Sequence, residues 1–215
     1  MSDLILPSCS ILLLAGGRGQ RMGGHDKGLI DWHGRPLIAW LHETVRPLTD
    51  DLLLSCNRNQ SCYAKYADRL VCDAEEGYPG PLAGIRSGLS VARNDWMLLL
   101  PCDTPLVDQP LLQSLHAAAT DAPEVPVMLR CGKQSEPLFS IIPTYLRAEI
   151  ETLWLAGERS PLRTLLHLGV MELQAPDADP RLANLNSPEL LKTDLLAGTS
   201  QRHASSHGYR NPQKE

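Results

Sequence analysis

Ile11-Leu12-Leu13-Leu14-Ala15 is apolar at every position and runs straight into Gly16-Gly17-Arg18-Gly19-Gln20-Arg21-Met22-Gly23-Gly24-His25-Asp26-Lys27. A short run without polar alternation predicts a strand covered on both faces, which is the condition of a central strand in a parallel sheet. The glycines after it let successive backbone N–H groups turn into one anion-sized concavity, and Arg18, Arg21 and Lys27 bring positive charge to it. Two other phosphate-binding patterns are excluded by spacing. A Walker loop requires glycine before its lysine and Ser or Thr after it, whereas Lys27 stands between Asp26 and Gly28; a dinucleotide fingerprint requires glycine where Met22 stands.

The same grammar continues along the chain. Ser10 to Ala15, Asp51 to Cys56, Leu70 to Asp73 and Trp96 to Leu100 read as short buried strands. Between them, Leu37, Trp40, Leu41, Val45 and Leu48 recur at helical spacing, with Pro36 suited to the first turn, and 82–93 and 110–120 read as further helices. Further on, 125–130, 136–142 and 169–173 read as strands, and 144–156 and 161–168 as helices. The expected architecture is α/β: a three-layer, doubly wound, mostly parallel sheet with right-handed crossovers and helices on both faces. Ser187-Pro188-Glu189 opens a last helix with a cap, a proline and an early acid. One domain is expected over 1–198, and 199–215, polar and almost without aromatics, reads as a disordered tail whose His203 and His207 are solvated rather than metal-binding.

Composition narrows the partners. A formal charge of −5 argues against broad nucleic-acid binding, so the local basicity of the glycine loop points to a small anionic ligand. Six cysteines form no C-x-x-C pair and no zinc spacing, the pattern of reduced thiols in a cytoplasmic protein. No targeting peptide or membrane span is read in the first residues.

Strand ends are where open α/β sheets bind ligands, and three polar residues fall there. Asp103 follows the Trp96 strand and suits Mg²⁺, which prefers one or two carboxylates with phosphate oxygens and water. Asp73 ends the Leu70 strand and would face the same crevice. Asn57 ends the Asp51 strand and offers an amide able to pair with a base or ribose edge. Leu14, Ala15, Gly16 and Gly17 would offer backbone groups to a base and its phosphates. Lys27 and Arg21 are placed to steady charge on a departing pyrophosphate. Gly80 and Gly84, among prolines before a helix, allow close approach of a ligand; Asn184 and Asn186 read as alternate residues of a short strand, both amides on one face.

The opening loop resembles the L-A-G-G-x-x-x-R-M-G-x-x-K signature of nucleotidyltransferases. Together with Pro79-Gly80-Pro81-Leu82-Ala83-Gly84, Pro101-Cys102-Asp103-Thr104-Pro105 and Asn184-Leu185-Asn186-Ser187-Pro188-Glu189, it resembles the molybdenum cofactor guanylyltransferases, the MobA family, over about residues 10–197. The resemblance implies a Rossmann-like nucleotidyltransferase fold, GTP and the molybdenum-pterin cofactor as substrates, and transient contact with cofactor-insertion machinery or apo-molybdoenzymes. It places guanine and phosphates on the opening loop, leaves open whether Ser55 or Asn57 reads the base, and puts Mg²⁺ on Asp103 and the pterin near Gly80, Gly84, Asn184 and Asn186. A relative using CTP or a sugar phosphate, or a non-catalytic nucleotide- or cofactor-binding adaptor, is the alternative.

Overall fold

The computed structural model describes residues 6–15, 17, 26–74 and 79–185. The expected helix from Ser187 and tail from 199, with Gly16, Arg18, Arg21 and Asn186, lie outside the described residues.

In chain order the elements are β1 (Cys9–Leu14), a hairpin of β2 (Asp31–Trp32) and β3 (Arg35–Pro36), α1 (Leu37–Val45), β4 (Leu52–Ser55), α2 (Gln60–Tyr63), β5 (Arg69–Val71), α3 (Pro81–Val91) and β6 (Trp96–Pro101). Then follow α4 (Gln109–Asp121), β7 (Val127–Cys131), β8 (Gln134–Pro143), α5 (Arg147–Leu155), α6 (Pro161–His167) and β9 (Met171–Ala175). The main sheet is seven-stranded, ordered β5-β4-β1-β6-β8-β7-β9. Strands β5, β4, β1 and β6 pair in parallel, as do β7 and β9; β8 runs antiparallel to both its neighbours. The fold is the expected mostly parallel, Rossmann-like α/β sheet.

The unbroken apolar runs are explained by two cores. Ile11, Leu13, Leu52, Leu54, Leu98 and Leu100 point to the face covered by α1 and α4. Leu12, Leu53, Met97 and Leu99 point to the other, under α3, α5 and α6. Successive strand side chains alternate between faces, so a strand covered on both must be apolar at every step.

Several boundaries differ from the sequence expectation. Helix α1 stops at Val45, because Pro47 has no amide to donate and 46–48 tighten into a 3₁₀ turn; Pro36 ends β3 and caps the helix instead of entering its first turn. The expected helix 144–156 likewise begins with a 3₁₀ turn before α5. Strand β9 starts at Met171 since Gly169, at φ +74°, closes α6 with its N–H on Leu166 O and the Val170 N–H on Leu165 O. The hairpin was not expected: His33 and Gly34 both take positive φ in its two-residue turn, and Asp31 accepts from the Gly34 N–H at 3.1 Å. The expected strand through Asn184 is absent among the described residues; 183–185 follow a 3₁₀ turn as irregular chain.

The amino ends of the parallel strands meet at Asp51, whose side chain is fully buried. Ser10 Oγ donates to it at 2.7 Å and the Arg93 N–H at 2.9 Å, while Arg69 and Arg93 pair with its other oxygen. Burial, the largest influence, pushes the carboxyl up, but the donors from Ser10, Arg93 and Arg69 outweigh it and hold its pKa below the ordinary 3.8. A lowered native pKa contributes stability that is complete above 3.8 and is lost as pH falls through the native value. Asp51→Asn should therefore cost about 2 kcal/mol at neutral pH by leaving two guanidiniums and a hydroxyl poorly matched. It should also flatten the decline of stability below about pH 4. Urea unfolding from pH 7 to pH 3 checks both; an unchanged acid slope would show that Asp51 is not the titrating group.

Candidate active site

At the opposite, carboxyl ends of β1, β4 and β6 lies a cavity of about 420 Å³. Its floor comes from Leu14 and Ala15, where β1 ends, and from Gly17 beyond them. The ladder of the sheet extends into it: the Ala15 N–H bonds Ser55 O at 2.8 Å and the Cys102 N–H bonds Leu14 O at 3.1 Å. The three strand ends are thus tied side by side.

Lys27 and Asp103 face each other across this floor, Nζ to Oδ2 at 3.2 Å. Asp103 is presented by Pro101-Cys102, the end of β6, and its side chain is only 6% exposed; that of Lys27 is 31% exposed. Thr104 Oγ1 donates back to Pro101 O at 2.8 Å, so the hydroxyl fixes the turn and leaves the Asp103 carboxylate to the cavity. Cys102 is on the wall too, but burial first and nearby Asp103 next push its thiol well above the ordinary range, so it is no nucleophile at neutral pH.

Ser55 and Asp73 form one side of the cavity. Asn57 does not line it: its amide donates to Asp73 Oδ2 at 2.7 Å and its carbonyl oxygen accepts the Asp73 N–H at 2.9 Å. Of the two candidates at this strand end, Ser55 is the one facing the cavity, and Asn57 braces Asp73. Gly80, Pro81, Gly84 and Asn184 also line it. Gly80, at φ +105°, makes the turn into α3, a conformation that other residues rarely adopt. Gly84 lets α3 lie directly on the strand ends: a Cβ there would come within 2.5 Å of Ser55 Oγ and 3.2 Å of Leu14 Cδ2. Gly84→Val should therefore cost about 1–3 kcal/mol through overpacking. It should also displace Ser55 from the cavity wall; thermal unfolding checks the cost. Asn184 reaches the cavity through an irregular segment whose Leu185 N–H bonds Asp103 O at 2.8 Å.

Ten of the fourteen residues singled out from the sequence thus converge on one cavity: Leu14, Ala15, Gly17, Lys27, Ser55, Asp73, Gly80, Gly84, Asp103 and Asn184. Gly16, Arg21 and Asn186 lie outside the described residues. Sequence reasoning missed Leu138, which β8 brings to the wall. Only the antiparallel pairing of β8 with β6 places it there, and nothing in its local sequence signals that. No group of three or more His, Cys, Asp or Glu that could hold a metal occurs among the described residues, so a cation here would rely on few protein ligands.

A glycine-floored cavity at parallel strand ends, with a lysine opposed to an aspartate, defines with the sheet an α/β nucleotidyltransferase. The MobA-like NTP transferase domain model matches residues 11–173. A molybdenum cofactor guanylyltransferase of Pseudomonas aeruginosa (strain LESB58) is 64% identical over 191 residues, 89% of this chain and 96% of that protein. One from Ectopseudomonas mendocina (strain ymp) is 57% identical over 90% of this chain and 94% of its own. Among solved structures, the molybdopterin-guanine dinucleotide biosynthesis protein A of Archaeoglobus fulgidus superposes with a TM-score of 0.69 at 23% identity, over 85% of this chain and 95% of that one, and shares the fold. The chain belongs to the MobA-like NTP transferase family.

Proposed function

We propose that the protein transfers GMP from GTP to the molybdenum-bearing pterin cofactor, with Mg²⁺, forming the guanine dinucleotide cofactor and pyrophosphate. The observation that carries this reading is the 3.2 Å opposition of Lys27 and Asp103 over the strand-end floor, with Asn184 on the same cavity. That arrangement suits two anionic substrates brought together over a single carboxylate.

In the reaction a terminal phosphate oxygen of the pterin attacks the α-phosphorus of GTP; the new P–O bond forms as the bond to the bridging oxygen breaks and pyrophosphate leaves. Backbone groups of Leu14, Ala15 and Gly17, with Gly16, take the base and phosphates, and Ser55 and Asp73 take the base or ribose side. Lys27, with Arg21, stabilises charge building on the departing phosphates, a contribution that positioned cations commonly make to such displacements. Gly80 and Gly84 bring the backbone close to the acceptor, and Asn184 and Asn186 offer amides to the polar pterin ring. The residues fit Mg²⁺: the near-buried Asp103 carboxylate opens on the cavity and would hold it, since a single carboxylate suffices where phosphate oxygens complete the shell. When bound, Mg²⁺ neutralises phosphate charge and aligns the phosphates. No enzyme-bound intermediate is needed, because positioning and electrostatics carry such displacements.

The reading belongs to the cytoplasm, where GTP and reduced thiols coexist. Six free cysteines agree with it. Handover of the product implies transient contact with insertion machinery or apo-molybdoenzymes. The test is incubation with Mg²⁺, molybdenum-loaded pterin and either GTP or CTP, following pyrophosphate and the dinucleotide. GTP-selective product is expected. CTP preference would move the enzyme to a cytidylyl chemistry, and GTP binding without product would make it an adaptor.

A further inference from the structure

Asp26 precedes Lys27 and is not on the cavity wall, yet its side chain, 4% exposed, gathers three side chains from one distant segment. Tyr63 Oη donates to Oδ1; Asn59 Nδ2 donates to Oδ2 at 3.1 Å; Arg58 Nε pairs with Oδ2 at 3.5 Å. Arg58 Nη2 also donates to Gly17 O at 3.3 Å, on the cavity floor. The Asp26 carbonyl accepts the Leu29 N–H at 3.0 Å, opening the 3₁₀ turn Lys27–Leu29 that carries Lys27. Tyr63 is fully buried against that turn: a Cβ on Gly28 would lie 2.7 Å from its Oη. Burial, then Cys102 and Asp26, push its phenol far up, so it remains a protonated donor.

A carboxylate is a costly way to fill a buried position unless each oxygen is satisfied. What it adds over an apolar residue is direction, because each oxygen here has its own donor and the turn that follows is fixed with it. We infer that Asp26 is a positioning residue, held by Tyr63, Asn59 and Arg58 so that the following turn presents Lys27 Nζ to Asp103 and to the phosphates being transferred. The reaction that Lys27 serves rests on the guanylyltransferase reading above; the placement of Lys27 does not.

The conservative probe is Tyr63→Phe, which removes one donor and keeps the ring; Asp26→Asn is the stronger one. Two readouts are compared with the wild type, with thermal unfolding to establish that the variants are folded. First, acylation of Lys27 by an N-hydroxysuccinimide ester, followed by mass spectrometry and normalised to Lys65 and Lys133, should speed up about threefold as Nζ leaves Asp103, a loss of pairing worth well under 1 kcal/mol. Second, kcat should fall about tenfold in Tyr63→Phe with the GTP KM nearly unchanged, since sub-ångström misplacement of a catalytic group acts on rate. In a Lys27→Ala background the same Tyr63 change should have no further effect on kcat, because its influence passes through Lys27. Unchanged Lys27 labelling in folded variants, or an equal kcat loss in both backgrounds, would overturn the inference. Wild-type protein that makes no dinucleotide, while Lys27 labelling still shifts in Tyr63→Phe, would instead overturn the guanylyltransferase reading and leave the positioning intact.

Discussion

Asp103→Ala should make no measurable dinucleotide product, a loss of about a thousandfold or more, as expected when the group that fixes charge at a reacting phosphate is removed. The fold should survive it. The Asp103 side chain has Lys27 as its ion-pair partner, and Lys27 is about one-third exposed, so water replaces the carboxylate and the cost in stability is at most about 1 kcal/mol. The bond that Asp103 gives to the architecture runs through its backbone, from the Leu185 N–H to its carbonyl, and alanine keeps it. Pyrophosphate release measured beside thermal unfolding separates these two expectations. Turnover within tenfold of wild type in a folded Asp103→Ala protein would remove Asp103 from the reaction.

Lys27→Ala should lower kcat by about a hundred- to a thousandfold while weakening GTP binding by only about tenfold. The asymmetry follows from where charge lies. If backbone amides of the glycine loop also hold the triphosphate, as proposed above, one cation is a fraction of the ground-state attraction. As pyrophosphate departs, negative charge grows on oxygens that a positioned ammonium can reach, and that increment is lost whole with Lys27. Lys27→Arg should restore little, since a planar fork cannot take the place of a point charge held 3.2 Å from Asp103. Steady-state kinetics with calorimetric GTP binding decide it; equal losses in rate and affinity would mean that Lys27 only binds.

Much of this was legible in the chain because strands covered on both faces leave no room for polar residues, and because their carboxyl ends must hold whatever is polar. Asp103 and Asp73 were found by that logic, Lys27 by the glycine- and cation-rich loop it closes and Ser55 by the family resemblance, and all four meet at the cavity. Asn57 shows its limit: position at a strand end does not reveal that an amide is consumed by the next strand end. The strand expected through Asn184 failed for a related reason, since the neighbouring Leu185 N–H is spent on Asp103 O rather than on a ladder. The direction of β8, the two-residue strands of the hairpin and the register shift at Met128/Leu129 depend on pairing between segments, which local periodicity does not encode. Nor does spacing connect Asp26 with Tyr63, thirty-seven residues on.

The Asp51 knot gives the molecule two ends with different duties. It fastens β1, β5 and the approach to β6 to the start of β4, where each strand begins, at the opposite end of the sheet from the cavity. Rigidity is anchored at the wrist, so the fingertips, which are the loops carrying Lys27, Asp73, Asp103 and Asn184, can change residues without loosening the hand. A lineage that altered its nucleotide or its acceptor would be free to rewrite one end of this sheet while the other went on holding it together.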